Sequence, residues 1–167
     1  RFLLWSVPMD GSSGPIVLNG PLVAGGDVTD FGISPDGTRV VFLADALDDE
    51  RFLLWSVPAS GGSAVVLNGA LPAGGDVYSF EISPDSTNVV YVADQNVNGD
   101  LELFSVPITG GSTVHLSSTW SDFAFTPGGQ SVVLQEAGRL VLTPIDGGSS
   151  VALSPVPRRR MQIPSKA

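Results

Sequence analysis

Short apolar stretches of four to six residues alternate along the chain with clusters of glycine, proline, aspartate and serine. Stretches of this length that are rich in β-branched and aromatic residues predict β-strands, and the polar clusters predict tight turns. In the first complete unit the predicted strands are Val28–Ile33, Arg39–Ala44, Phe52–Val57 and Ala64–Leu67. Along the whole chain the pattern predicts two strands before Val28 and then three sets of four, which makes an all-β protein.

The second strand of each unit has the most informative pattern. Arg39–Ala44 and Asn88–Ala93 are almost continuously apolar instead of alternating, which predicts that both faces of these strands are covered. The connecting turns are short, as at Ser34–Gly37, so the sheets are expected to be antiparallel. An antiparallel sheet with two buried faces needs a sheet on either side. The radially packed four-stranded blades of a β-propeller supply that arrangement, whereas a β-sandwich leaves one face of each sheet polar.

A repeat runs through the whole strand-forming part of the chain. The octapeptide Arg1–Pro8 recurs letter for letter as Arg51–Pro58, then in part as Leu103–Pro107 and faintly as Leu140–Pro144. The prolines that end these segments are 50, 49 and 37 residues apart. The difference comes from two connections around the last unit that are each six residues shorter than their counterparts, while the strands keep their pattern.

These repeats divide the chain into successive units. We predict a half blade at 1–27, three blades at 28–76, 77–119 and 120–153, and a linker or disordered tail at 154–167. The array therefore has about three and a half blades, whereas a closed propeller typically needs at least about four. The sequence thus predicts an incomplete ring, which is either part of a larger ring or completed by self-association of two copies.

The repeat resembles the TolB-like propeller repeats that also occur in the propeller domains of prolyl-oligopeptidase-like peptidases. The resemblance depends on the Ser34–Gly37 turn, the following Val40–Phe42, the Ala-Asp pairs at 44–45 and 93–94, and Leu54–Pro58 with its Gly-Gly. It extends over about residues 1–153, although the last unit has Pro-Gly-Gly where Pro-Asp-Gly is expected. It implies a bacterial and usually exported propeller, in the periplasm or outside the cell.

The charge of the chain restricts its partners. Residues 1–157 carry four basic and seventeen acidic side chains, a formal charge of −13, because Arg158, Arg159, Arg160 and Lys166 lie at the far end. Such a surface repels phosphates, so nucleic acid is not expected as a partner. No apolar stretch approaches the length of a membrane span, so no membrane insertion is expected. Cysteine is absent, which excludes disulfides and thiolate metal sites.

Acidic residues concentrate in connections that a propeller places on a single rim. The connection between the second and third strands emerges on the same side as the connection to the next blade, and this predicts an acidic rim that binds cations or a basic protein partner. Alternatively, these carboxylates only keep a protein with few charges soluble. The predicted partner-binding residues are Asp27, Asp45, Asp48, Asp49, Glu50 and Asp76.

One loop on this rim resembles the opening of a calcium loop. Asp94, Asn96, Asn98 and Asp100 place oxygen ligands at alternate positions, with Gly99 among them. A helical calcium loop also has a bidentate glutamate at its twelfth position, which here is Ser105. The alternative is an Asn-Gly hairpin turn. Calcium is the one cofactor that the sequence suggests.

Candidates for catalysis are few. The single histidine, His115, falls on a predicted fourth, outermost strand, and the chain has no Gly-x-Ser-x-Gly nucleophile elbow. Trp5 and Trp55 occupy equivalent third-strand positions, which indicates packing, and the role of Trp120 stays open. The sequence therefore predicts a non-enzymatic β-propeller interaction scaffold that binds a protein or a cell-envelope partner. The alternatives are the substrate-gating propeller of a secreted prolyl-oligopeptidase-like hydrolase and a structural repeat of a cell-surface protein.

Overall fold

The computed structural model of the chain describes residues 1–154, in which all regular secondary structure is β-strand. The predicted linker or tail lies outside these residues except for Ser154, which ends the last strand. No helix in the described part is long and apolar enough to cross a membrane. The fourteen strands are β1 (Trp5–Ser6), β2 (Ile16–Val17), β3 (Val28–Ile33), β4 (Arg39–Ala44), β5 (Leu53–Pro58), β6 (Val65–Val66), β7 (Val77–Ile82), β8 (Asn88–Ala93), β9 (Glu102–Pro107), β10 (Val114–Ser117), β11 (Phe123–Phe125), β12 (Ser131–Glu136), β13 (Arg139–Pro144) and β14 (Val151–Ser154).

The strands form four antiparallel sheets in which every strand pairs with its neighbours in sequence. We call the two-stranded sheet β1–β2 the half blade, and the four-stranded sheets β3–β6, β7–β10 and β11–β14 blades A, B and C. The predicted fold is confirmed: the chain is all-β and consists of three four-stranded antiparallel blades preceded by half of another. These sheets lie beside one another as blades of an incomplete propeller.

The second strands of blades A and B are buried on both faces, as their continuous apolar pattern predicted. In β4, Val41 and Leu43 belong to the core between blades A and B, whereas Val40 and Phe42 belong to the core between blade A and the half blade. Successive side chains of a strand point to opposite faces, so one strand supplies two cores. In the same way, β8 contributes to the core with blade A and to the core with blade C.

Third and fourth strands differ slightly from their predicted bounds. The third strand of blade A begins at Leu53 instead of Phe52, because the Phe52 backbone N–H donates to a carboxylate oxygen of Asp76 at 2.8 Å and leaves the ladder. The fourth strand is limited to β6 because the Leu54 N–H donates to the Asn68 side chain at 2.8 Å. In both cases a polar side chain distant in sequence replaces the neighbouring strand as hydrogen-bond partner.

The hairpin turns between the first and second strands of blades A and B have the same hydrogen bonds around an aspartate. In blade A, an Asp36 carboxylate oxygen accepts hydrogen bonds from the Ser34 hydroxyl at 2.6 Å and from the Thr38 N–H at 3.0 Å. The bond from the Ser34 hydroxyl holds the pKa of the Asp36 carboxyl below its ordinary value. Neighbouring turns also touch, since the Asp36 N–H donates to the Ser86 hydroxyl of blade B at 3.0 Å. We call this end of the blades the turn rim.

Candidate functional site at the loop rim

The opposite end of the blades carries the connections in which sequence and length vary most. Strands alternate in direction within each blade, so the connection between second and third strands and the connection to the next blade emerge together. We call this end the loop rim. It comprises the second-to-third-strand loops 45–52, 94–101 and 137–138 and the blade-to-blade connections 18–27, 67–76 and 118–122.

Two of the rim aspartates are buried and hold the backbone of the loops. Asp94 directly follows β8 and has no solvent exposure. One of its carboxylate oxygens accepts the N–H of Asp76 at 2.6 Å, and the other accepts the N–H of Gly99 at 2.8 Å. Asp45, which is 3% exposed, makes the corresponding bonds to the N–H groups of Asp27 and Glu50 at 2.6 and 3.1 Å.

A second pair of aspartates joins one blade to the next. The Asp76 carboxylate accepts the N–H of Phe52, whose own carbonyl accepts the N–H of Val77 at 3.0 Å. The start of blade B is thereby bound to the segment that enters the third strand of blade A. Asp27 makes the same contact with the N–H of Phe2 in the half blade. We call these carboxylate and backbone contacts the inter-blade clasps.

Burial and hydrogen bonding divide the predicted partner-binding residues into two groups. Asp45 is buried, and Asp27 and Asp76 are half-buried with their carboxylates bonded to backbone N–H groups. Their recurrence in two blades at a spacing of 49 residues was the signal that they support the fold, and sequence reasoning did not use it. The three exposed members are Asp48, Asp49 and Glu50. Binding of a partner by these residues stays a prediction.

Exposed carboxylates of the rim form one consecutive group in blade A. Asp48, Asp49 and Glu50 lie in the loop after β4, where the corresponding residues of blade B are Val97, Asn98 and Gly99. The loop is fixed by the Asp45 carboxylate at Glu50 and by the Arg51 guanidinium, which donates to the Leu71 carbonyl at 2.8 Å. The structure therefore presents three adjacent acidic side chains on an anchored loop.

Glu50 has a backbone conformation that suits glycine. Its φ angle is 62°, and the equivalent residue in blade B is Gly99 with a φ of 90°. A residue with a Cβ is destabilised by about 1–2 kcal/mol in the left-handed region. Replacement by glycine removes this strain, but it also raises the entropy of the unfolded chain, which offsets part of the gain. We expect Glu50→Gly to raise the free energy of unfolding by about 0.5–1 kcal/mol in urea denaturation. Asp48→Gly is the matched control, since Asp48 has no positive φ and its replacement is expected to lower stability.

The suggested calcium ligands have separate partners in the structure. The Asp94 carboxylate binds two backbone N–H groups, and the side-chain amide of Asn96 donates to Glu102 at 2.6 Å. The amide of Asn98 donates to the Ala73 carbonyl at 3.2 Å, and Asp100 is exposed. Within residues 1–154, no group of three or more histidine, aspartate or glutamate side chains could hold a metal ion. Calcium binding by this loop stays a prediction.

Tyr78 lies beside the buried carboxylate of blade B. Its hydroxyl is 3.4 Å from Asp94 Oδ2. Partial burial raises the pKa of the Tyr78 hydroxyl, and the negative charges of Asp94 and then Asp76 raise it further. The phenol therefore stays protonated at neutral pH and serves the carboxylate as a weak third donor.

An open cleft between a loop of blade B and the connection from blade B to blade C contains the tryptophan whose role the sequence left open. Trp120 is 55% exposed and lines a cleft of about 550 Å³ together with Asp100 and Glu102. The Glu102 carboxylate is held by Asn96 and by the ring of His115, 3.1 Å from His115 Nε2. His115 lies on β10, the outermost strand of blade B, where the sequence predicted it.

Comparison with known proteins shows the fold. No protein-family model matches the chain, and no curated protein is significantly similar to it. Among solved structures, TolB from Acinetobacter baumannii is similar to 90% of this chain, with 16% sequence identity and a TM-score of 0.51. An oligogalacturonate lyase in complex with manganese is similar to 84% of it, with 14% identity and a TM-score of 0.55.

Puromycin hydrolase, in a structure of its S511A mutant with the ligand PGG, is similar to 76% of this chain, with 20% identity and a TM-score of 0.51. The chain spans 37% of the length of that TolB, 40% of that lyase and 22% of that hydrolase. The resemblance to TolB-like propellers predicted from the repeat is confirmed at the level of fold. These structures include enzymes as well as TolB, so the likeness carries no assignment of activity.

Proposed function

We propose that this chain is a non-enzymatic propeller scaffold that binds a basic segment of a protein or cell-envelope partner through Asp48, Asp49 and Glu50. The observation that carries the proposal is the exposure of these three carboxylates on a loop whose two ends are anchored. An anchored loop loses little conformational entropy when a partner binds. Ordering of the loop therefore takes little from the binding free energy that its charges contribute.

Charge around the loop supports the same proposal. Residues 1–157 carry a formal charge of −13, and the nearest arginine in sequence, Arg51, donates from its guanidinium to a backbone carbonyl. Within residues 1–154, neither arginine nor histidine side chains form an ion pair with Asp48, Asp49 or Glu50. Unpaired carboxylates of one sign steer and orient a cationic partner. From the propeller resemblance we also propose that the protein is located in the periplasm or outside the cell.

Binding of a ten-residue lysine peptide at low ionic strength tests the proposal by isothermal titration calorimetry. We expect the double substitution Asp48→Asn with Asp49→Asn to weaken binding about tenfold, because an exposed ion pair contributes up to about 1 kcal/mol. The matched control is Asp10→Asn with Asp146→Asn, which removes the same charge from the exposed turn rim. We expect that control to change affinity by less than about twofold.

Equal losses in the two double variants would contradict the proposal, since they would show attraction by overall charge alone. Absence of peptide binding to the unchanged chain would contradict it as well. Binding that persists at an ionic strength near 1 M, where the Debye length is about 3 Å, would also contradict a mainly electrostatic contact. Thermal melts of all variants should coincide, because the replaced carboxylates are exposed.

A further inference from the structure

The repeated octapeptide has two different environments in the same molecule. In blade A it forms β5, which pairs with β4 along one edge and with β6 along the other. In the half blade the same octapeptide contains the short strand β1, which pairs with β2 along one edge. Among residues 1–154 no strand pairs with its other edge. One copy of the sequence therefore shows what normally lies against the free edge of the other.

Side-chain exposure differs between the two copies in a consistent way. Val57 is completely buried, but the equivalent Val7 is 60% exposed. Trp55 is half-buried and stacks on Phe42 of β4, with ring centroids 6.3 Å apart, whereas Trp5 is 52% exposed. Because the sequences are identical, the exposure of the first copy results from its surroundings: among the described residues no strand pairs with that edge, and no sheet packs on the face that in blade A lies against the half blade.

The exposed surface continues from the free edge of β1 onto the first strand of blade A. Phe31 and Ile33 of β3 are 57% and 60% exposed. Their counterparts in blade B, Phe80 and Ile82, are half-buried against the core that contains Val41 and Leu43 of β4. Two adjoining open cavities of about 430 and 490 Å³ lie along this surface, and Leu4 and Phe31 line both of them. We call this surface the edge groove.

We propose that the edge groove binds a β-hairpin of the same repeat, whose second strand is a continuous apolar run like Arg39–Ala44. The register follows from blade A, where Val40 lies opposite Val57, Phe42 opposite Trp55 and Leu43 opposite Leu54. In the groove the corresponding residues of the hairpin lie opposite Val7, Trp5 and Leu4. This inference is independent of the proposed acidic-rim function, because it concerns a different surface and apolar side chains.

Side chains on both faces of the hairpin's second strand would contact the edge groove. Positions equivalent to Val41 and Leu43 cover Phe31 and Ile33, as Val41 and Leu43 cover the counterparts in blade B. The position equivalent to Phe42 stacks on Trp5, as Phe42 stacks on Trp55. Backbone pairing with a free edge supplies affinity, and side chains on alternate sides supply specificity.

Other surfaces of this chain fit the edge groove less well. Pairing with β1 of a second copy would place the hydroxyl of Ser6 where Val41 lies in the complete blade. The outer face of blade C has Gln135 at the position of Leu43 in β4, so its insertion would put an amide against apolar side chains. A second copy is therefore the alternative outcome of the test.

The test uses the 167-residue chain and a fluorescein-labelled synthetic peptide that comprises residues 28–46 of this sequence. We expect saturable binding in fluorescence anisotropy. A control peptide with Asp at the positions of Val41 and Leu43 is expected to bind at least about tenfold more weakly, because its second strand would place charges on the apolar floor of the groove. Absence of binding, or equal binding of the two peptides, would overturn the proposal.

Substitutions in the chain locate the binding site. Val7→Lys is expected to weaken binding of the peptide at least about tenfold, whereas Val151→Lys should leave it unchanged. Both valines lie near a terminus of the described chain and are more than half exposed, at 60% and 56%, so both variants should retain the thermal melt of the unchanged chain. Equal affinity in Val7→Lys would overturn the proposal. Sedimentation that shows a dimer dissociated by Val7→Lys but not by the peptide would assign the groove to a second copy instead.

Discussion

Replacement of Leu54 by alanine is expected to lower the free energy of unfolding by about 3–4 kcal/mol. The Leu54 side chain has no solvent exposure and belongs to the core between blades A and B, together with Val77 and Tyr91. Its truncation removes buried methyl groups and leaves a cavity between two sheets that cannot approach each other freely. Urea denaturation of the full chain, followed by circular dichroism, measures the effect.

The chain offers a matched control for this prediction. Leu140 occupies the same third-strand position in blade C, four residues before the proline, but it is 48% exposed because no further blade covers it. We expect Leu140→Ala to cost less than about 1 kcal/mol. Similar losses in the two variants would show that blades A and B do not bury Leu54 between them. A change in the denaturant slope would instead indicate that the blades unfold separately.

Asp94→Asn is expected to lower the free energy of unfolding by about 3 kcal/mol. The buried Asp94 carboxylate accepts one N–H with each oxygen, from Asp76 and from Gly99. An amide of the same shape turns an NH₂ group toward one of these donors and leaves a partly buried N–H without its acceptor, which costs about 1–3 kcal/mol. The remaining bond also loses the strength that a charged acceptor gives.

Two further substitutions decide whether burial and bonding cause this loss. Asp45→Asn alters the same position in blade A and should give a similar loss, since the Asp45 carboxylate also accepts two backbone N–H groups. Asp48→Asn, on an exposed residue of the same loop, should change stability by less than about 0.5 kcal/mol. If Asp94→Asn and Asp48→Asn gave the same stability, the two hydrogen bonds accepted by the buried Asp94 carboxylate would not support the array.

The strands were predictable because their signals are local. Val28–Ile33 and Arg39–Ala44 were predicted with the bounds that the structure shows, since apolar residues and a Ser-Pro-Asp-Gly turn stand next to each other in sequence. The start of the third strand was wrong by one residue because Phe52 donates to Asp76, which is 24 residues away. A pattern of neighbouring residues does not identify a hydrogen-bond partner that lies so far away in the sequence.

The candidate site was only partly predictable for a similar reason. Sequence and blade topology placed Asp45 and Asp48 in the same loop, but they did not distinguish a buried carboxylate from an exposed one. The difference arises because the N–H groups of Asp27 and Glu50 point at Asp45, and no local pattern encodes this convergence. The edge groove was likewise not predicted, although the half blade that forms one side of it was.

The octapeptide that occurs twice separates the two kinds of information. By itself the sequence determined that Arg1–Pro8 and Arg51–Pro58 form equivalent third strands of a repeated blade, because strand formation depends on nearby residues and turns. Only the tertiary structure decided that Val57 is buried while Val7 is 60% exposed. Burial depends on which sheet lies against a side chain. Identical residues therefore form a closed core in blade A and an open groove in the half blade.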